Sequence, residues 1–155
     1  MDSILAACEQ EIVESGEIIA EHSAIAKKYG LRLVAYEGGQ HLVGSLGAEN
    51  NEQLTELFIA ANRDERMQDL YDLHLGTWYK HGGQEYCAFA SMGVYNKWGS
   101  WGLLEHGDQD ANEAPKYQGC KEYLKPLGLT GVLQLLLSKG MNAFTPPWIA
   151  GTFFL

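Results

Sequence analysis

The sequence predicts an α/β fold in which two consecutive βα units follow an N-terminal helix. Two short apolar runs, residues 31–36 and 85–91, each lead into glycine, which is typical of buried strands. Amphipathic helical stretches follow both runs. Because successive βα units favour parallel pairing with helices covering the sheet, we expect the two strands to pair in parallel.

The N-terminal helix is predicted over residues 2–28, either as one helix or as two separated near Gly16. Apolar side chains recur there at steps of four and seven residues, and glutamates take the other sides. Lys27 and Lys28 suit the negative end of the helix dipole, and Gly30 suits a left-handed C-terminal cap. The helix is therefore expected to end just before the first strand.

The segment between the strands shows two apolar helical stripes, separated by the charged turn at residues 62–66. The second stripe should end near Lys80, where His81 and two glycines give a stop signal. His74 lies on this stripe and is expected to be a partly buried, hydrogen-bonded histidine rather than a metal ligand. Residues 100–105 could add a short strand, and Pro115 opens a last helix that reaches Leu124.

The chain divides by composition into residues 1–125 and an apolar tail, residues 126–155. The tail carries one charge, Lys139, among many leucine and aromatic side chains. Apolar surface of that extent must be buried within the domain or against another chain.

Composition excludes several function classes. The net charge is −9 and no basic stripe is present, so binding to nucleic acid or to an anionic membrane is not expected. No apolar run is long enough to span a membrane, and no secretory signal is recognised, so we expect a cytoplasmic protein. Three widely spaced cysteines predict buried, reduced thiols rather than disulfides or a zinc site.

Glu37 is the first candidate functional residue, because it follows an apolar strand directly and precedes Gly38 and Gly39. Glycine lets the backbone approach a ligand or another strand closely. The carboxylate could act as a nucleophile or accept hydrogen bonds from a substrate, and Gln40 and His41 beside it are candidate substrate-binding residues. The alternative is an ordinary turn that ends a strand and carries a solvated glutamate.

A loop rich in glycine and aromatic residues follows the second strand and is the second candidate site. Its Tyr95, Trp98 and Trp101 could stack on sugar rings, and Glu105 could accept hydrogen bonds from the hydroxyl groups. The same side chains would also suit a protein interface.

No metal site and no cofactor are predicted. The acidic run at residues 105–113 lacks the glycine and glutamate spacing of an EF-hand loop, and it is expected to be a solvated acidic loop. The glycines after Glu37 have the wrong spacing for a P-loop or a dinucleotide-binding fingerprint.

Several motifs resemble the C-terminal quarter of bacterial (β/α)8 proteins related to retaining glycoside hydrolases. They are VAYEGGQHL, NRDERMQDLY, a W-Y-K-x-G-G turn, SWGLLEHGDQ and APKYQ, in this order between about residues 5 and 124. The resemblance implies that residues 31–36 match the seventh strand and residues 86–91 the eighth. It also implies that Glu37 matches the nucleophile and that Trp98 or Trp101 forms the floor of the sugar site.

The resemblance also implies what the chain lacks. A complete barrel of this type has about 250 residues. Its second catalytic carboxyl group, about 5–5.5 Å from the nucleophile, comes from the fourth strand, which has no counterpart here. The sequence therefore predicts a partial barrel-like fragment, completed by self-association, that is carbohydrate-active if a second acid is supplied in trans. The alternative is a non-enzymatic oligomeric binding or assembly module.

Overall fold

A computed structural model describes residues 1–127 of the chain, which combine helices with a small sheet. The elements in chain order are α1 (Asp2–Lys28), β1 (Val34–Gly38), α2 (Glu52–Arg63), α3 (Met67–Lys80), β2 (Glu85–Ala88) and α4 (Pro115–Leu124). Short 3₁₀ turns lie at Ala48–Asn50, Ala111–Glu113 and Lys125–Leu127.

The two strands pair in parallel, as predicted from the sequence. Val34 is opposite Glu85, and Ala35 is opposite Tyr86. The next aligned pair is Gly38 with Ala88, so β1 contains one residue more than β2 between these points. This irregularity has the form of a β-bulge.

The predicted strand bounds were wrong at both strands, for reasons visible in the hydrogen bonds. The first strand starts at Val34 rather than at residue 31, because the Leu31 amide donates to Ala26 O and completes the end of α1. The second strand ends at Ala88 rather than at residue 91. Beyond it, residues 90–93 bond instead to residues 101–104, including the pairs Ala90 N to Trp101 O and Leu104 N to Ser91 O.

The helices follow the sequence pattern closely. The first is one continuous helix through Gly16, and Gly30, at φ +67°, donates its amide to Lys27 O beyond the helix end. The α2–α3 turn is held by Arg66, which forms ion pairs with Asp64 and Asp2. The third helix ends at Lys80 as predicted.

The core is centred on α3, which packs against both α1 and α4. Its buried members come from all four helices, from the aromatic loop and from the residue before α4: Leu5, Ala61, Met67, Leu70, Tyr71, Leu75, Leu103, Ala114, Tyr117 and Cys120. The two strands lie at one side of this helical core, with the Tyr86 ring in edge contact with Trp78 of α3.

Two sequence predictions about burial can be compared with the structure. The three cysteines are unbridged, but only Cys120 is buried, and Cys87 is exposed. Cys87 alternates with Tyr86 along β2, so its side chain lies on the face of the sheet away from the helices. The predicted apolar tail lies, from residue 128 onward, outside the described residues.

Within residues 1–127, no helix combines the length and the apolar character that crossing a membrane requires.

Candidate functional site

Glu37 lies inside β1, near its carboxyl end, so the prediction that it follows the strand was wrong: the pairing of Gly38 with Ala88 extends β1 past residue 36. The Glu37 side chain is exposed. The glycines after it are explained by two tyrosines. A Cβ on Gly38 would lie 2.4 Å from the Tyr86 hydroxyl, and a Cβ on Gly39, at φ +154°, would lie 3.1 Å from the Tyr71 hydroxyl. Close packing on these rings therefore fixes the end of β1, which presents the Glu37 carboxylate.

Gln40 connects the loop after β1 to the aromatic loop. Its Nε2 donates to Ser100 O at 2.8 Å, and its Oε1 accepts from the Leu42 amide at 2.7 Å. The Asn62 side chain is a third partner, with Nδ2 at 3.5 Å from the same oxygen. Gln40 was predicted to bind substrate, and these bonds show that its side-chain amide already holds two loops and α2 together.

A buried cation lies beneath this junction. Lys116 of α4 has no exposed surface, and its Nζ donates to Asn62 Oδ1 at 2.9 Å and to Ser100 O. The Tyr95 ring centroid is 4.4 Å from Nζ, within the range of a cation–π contact. Burial lowers the pKa of this lysine to about 7, and the nearby Glu105 carboxylate opposes that shift.

Trp101 brings the aromatic loop against the ends of both strands. Its ring centroid lies 5.1 Å from that of His41 and 6.2 Å from that of Phe89, which directly follows β2. The Trp101 indole Nε1 donates to Trp98 O at 3.0 Å, which fixes the ring. The Trp98 side chain is largely exposed, with Lys97 Nζ 4.7 Å from its ring centroid.

Tyr95 and Glu105, also predicted to bind substrate, are engaged within the chain. Tyr95 is buried, and its hydroxyl donates to Gly102 O at 3.1 Å. Glu105 accepts two hydrogen bonds from Arg63, from Nε at 3.0 Å and from Nη2 at 2.5 Å. This pairing raises the pKa of the Arg63 guanidinium. Their role in binding a ligand stays a prediction.

The structure thus gathers some of the sequence candidates and adds others. His41 and Trp101 are in contact. Tyr95 instead lies beside Arg63 and Lys116, and Glu105 is hydrogen-bonded to Arg63. Sequence reasoning missed Phe89, Asn62 and Lys116. A signal for Lys116 was present, because it lies four residues before Cys120 on the apolar face of α4.

A groove of about 630 Å³ lies between α1, β1 and α3. Glu37 and His41 border one end of it, and His74 and Tyr86 lie deeper, with His74 Nε2 2.6 Å from the Tyr86 hydroxyl. Burial lowers the pKa of His74 to about 4, so this imidazole is neutral at pH 7. The prediction of a partly buried, hydrogen-bonded histidine is confirmed.

Across residues 1–127, no group of three or more His, Cys, Asp or Glu side chains is arranged to hold a metal ion. No family model, no curated protein and no solved structure was found to match the chain.

Proposed function

We propose that this chain is a carbohydrate-binding fragment, related to the last two strands of a retaining glycoside hydrolase barrel. The sugar would bind at the carboxyl ends of β1 and β2. The parallel order of the strands, with α2 and α3 between them and α4 after them, supports this relationship. The cytoplasm is its proposed compartment.

The observation that carries the proposal is the contact between His41 and Trp101. It joins the loop that follows β1, the strand that holds Glu37, to the aromatic loop, with Phe89 as a further ring beside Trp101. Flat rings and an exposed carboxylate are groups that suit a sugar, because its CH face stacks on a ring and its hydroxyl groups donate to the carboxylate. We assign the ring platform to Trp101 and the acceptor to Glu37.

Catalysis by one copy of the chain is not part of the proposal. Retaining hydrolysis needs a second carboxyl group about 5–5.5 Å from the nucleophile, with a pKa high enough to protonate the leaving group. Glu105 is held by Arg63, and its side chain is mostly buried. The second acid would therefore be supplied in trans, by another copy or another chain.

Calorimetric titration with gluco-, xylo-, manno- and chito-oligosaccharides tests the binding proposal. We expect Trp101→Ala to weaken binding at least tenfold, about 1.4 kcal/mol, for whichever sugar binds. Tyr29→Ala is the matched control, because Tyr29 is an exposed aromatic residue beyond the end of α1. Absence of binding across the whole panel, or equal losses in both variants, would overturn the proposal.

The hydrolytic role of Glu37 needs a separate measurement. If a second copy supplies the acid, hydrolysis of aryl glycosides should rise more steeply than protein concentration and disappear in Glu37→Gln. Equal rates in wild type and variant would end the catalytic role of Glu37 and leave the binding site untouched.

A second candidate function, assembly, is favoured by the exposed face of the sheet. Tyr36, Cys87 and Phe89 are exposed there, with Tyr36 and Phe89 46% and 44% accessible. Such a surface suits contact with a second copy. Size-exclusion chromatography with light scattering checks this, and a single species at 17.2 kDa across the concentration range would reject it.

A further inference from the structure

The groove between α1, β1 and α3 is continuous with the proposed sugar site. Glu37 and His41 both line the groove, and they are also the proposed hydroxyl acceptor and the partner of the Trp101 ring. The three residues between them, 38–40, line it as well. A ligand held at Glu37 and Trp101 can therefore extend into the groove along the surface of the chain.

The groove is long and mostly apolar. Helix α1 lines it from Ser3 to His22, which corresponds to about 28 Å along a helix. The apolar side chains that line it come mainly from α1 and α3, and they include Ile4, Ile12, Ile19, Leu70 and Trp78. This shape suits an extended alkyl chain, because each methylene group that leaves water contributes to the free energy of binding.

The charges along the groove indicate which head group the chain would carry. Glu11 and Glu37 line the groove, and no lysine or arginine of residues 1–127 does. Two carboxylates would repel an anionic head group such as a fatty-acid carboxylate or a phosphate. An uncharged head group with several hydroxyl groups can instead donate hydrogen bonds to Glu37.

Polar side chains inside the groove are hydrogen-bonded within the chain. His74 Nε2 lies 2.6 Å from the Tyr86 hydroxyl, and Ser15 Oγ donates to Ile12 O at 2.7 Å. An alkyl chain that covers these groups therefore leaves their hydrogen bonds in place, which avoids the cost of burying unsatisfied polar atoms.

We propose that the ligand of this site is a glycoside that carries a long alkyl chain, with its sugar at Trp101 and Glu37 and its chain in the groove. This assignment rests on the sugar site proposed above and names the class of ligand for it.

Calorimetric titration with n-alkyl β-glucosides and β-xylosides, from hexyl to decyl and below their critical micelle concentrations, tests the assignment. We expect the affinity to increase about three- to fourfold for each added methylene group. Trp101→Ala should weaken every member of a series by the same factor, because the sugar is common to all of them. Octanoate, octylamine and 1-octanol should each bind at least tenfold more weakly than the octyl glycoside.

Two results of these titrations overturn the assignment in different ways. Oligosaccharide binding that depends on Trp101, combined with glycoside affinities that do not change with chain length, would leave the sugar site in place without the groove. Octylamine or 1-octanol bound as tightly as the octyl glycoside, with no effect of Trp101→Ala, would show a groove that binds apolar chains without a sugar.

Substitutions on α1 separate the groove from the rest of the helix. Ile12 lines the groove, and Ile12→Gln should weaken the binding of decyl glucoside at least tenfold. Val13→Gln is the matched control, because Val13 is 58% exposed and is not one of the groove residues. If Ile12→Gln does not fold, Ile18→Gln replaces it, since Ile18 lines the groove and is 44% exposed. Equal affinities in the groove variant and the control would contradict the assignment.

Alkylation of Cys8 reports whether another occupant covers the groove, since Cys8 lines it, Cys87 is exposed and Cys120 is buried. In the free protein we expect Cys8 to react faster than Cys120, and saturating decyl glucoside should slow Cys8 at least fivefold without changing the Cys87 rate. A Cys8 rate in the free protein as low as that of Cys120 would overturn the assignment. Recovery of the rate on dilution would then place a second copy in the groove, and no recovery would place another part of this chain there.

Discussion

Lys116 is a buried lysine that no carboxylate of residues 1–127 contacts directly. Its hydrogen bonds go to an amide oxygen and a carbonyl oxygen, and the Tyr95 ring centroid lies 4.4 Å from its Nζ. A buried charge without adequate partners is costly, so these neutral acceptors and the ring carry the stabilisation of the ammonium group. Lys116 therefore ties α4 to α2 and to the aromatic loop.

Replacing Lys116 by Met should lower the free energy of unfolding by about 1–3 kcal/mol at pH 7, because Asn62 Oδ1 loses a buried partner. The folded pKa is about 7 and the ordinary value is 10.5, so the unfolded chain holds more protons between these values. The contribution of Lys116 to the free energy of unfolding should therefore increase as the pH rises from about 7 to 10.5, and Lys116→Met should not show this increase.

Urea unfolding at pH 7 and pH 9 measures this difference. We expect the cost of Lys116→Met to increase by about 1–2 kcal/mol between the two pH values. Lys125→Met, at an exposed lysine, is the control and should be neutral at both. If the loss of unfolding free energy in Lys116→Met stays constant or decreases as the pH rises, the proposed effect of burial on the Lys116 pKa is wrong.

His74 predicts an acid-sensitive contribution to stability. Its folded pKa of about 4 lies below the ordinary 6.5, so the unfolded chain binds the proton first as the pH falls. Stability should therefore be lost between pH 6.5 and pH 4, by about 1–2 kcal/mol at pH 5. In His74→Gln this loss should be absent from the urea midpoints, whereas His106→Gln, at an exposed histidine, should behave like wild type. Equal losses in all three would show that His74 does not titrate below its ordinary pKa.

At the scale of elements, the α3–α4 contact depends on Gly119. A Cβ there would lie 2.4 Å from Gln68 O and 2.7 Å from Tyr71 Cβ, so Gly119→Ala must push the helices apart. We expect a loss of about 1–3 kcal/mol in unfolding free energy.

Gly76→Ala is the matched control on the same helix pair, because its Cβ would meet only Tyr123 Cε2 at 3.9 Å. Helix propensity should make that change stabilising by about 0.5–1 kcal/mol. Thermal unfolding of both variants gives the comparison, and equal effects would contradict the close approach at Gly119.

The helices could be predicted because their signals are local. Apolar spacing, Gly30 and the charged turn before Met67 each determine an end through nearby residues. The strand ends depended on distant partners instead. Ala90 and Ser91 leave the predicted strand because their hydrogen-bonding partners lie at residues 101–104, and no local pattern identifies those partners.

Some residues of the candidate site could be predicted from the sequence, and the residues that support them could not. Glu37 and Trp101 were found because acids and aromatic rings after a strand stand out in a sequence. The support beneath them was missed, since Asn62, Ser100 and Lys116 come from three distant segments and meet only in the fold. Likewise, the engagement of Glu105 by Arg63 joins residues 42 positions apart.

At the scale of the whole molecule, we expect the exposed face of the sheet to decide the association state. If the chain self-associates as proposed, replacing Tyr36 and Phe89 together by Ser should shift the mass from concentration-dependent values to that of one chain, because it removes the largest accessible rings of this face. Tyr29→Ser is the control, at an exposed ring outside the sheet. Light scattering over a dilution series measures the mass, and unchanged association in the double variant would assign the contact elsewhere.

Because β1 contains an extra residue, we expect it to be more sensitive to a deletion than to a substitution. Between Ala35 and Gly38 the strand advances three residues while β2 advances two. Deleting one residue there would remove the bulge and the local bend and twist that it gives β1, whereas a substitution leaves the backbone path intact. In a library of variants, we therefore expect Tyr36 and Glu37 to tolerate many replacements but no single-residue deletion.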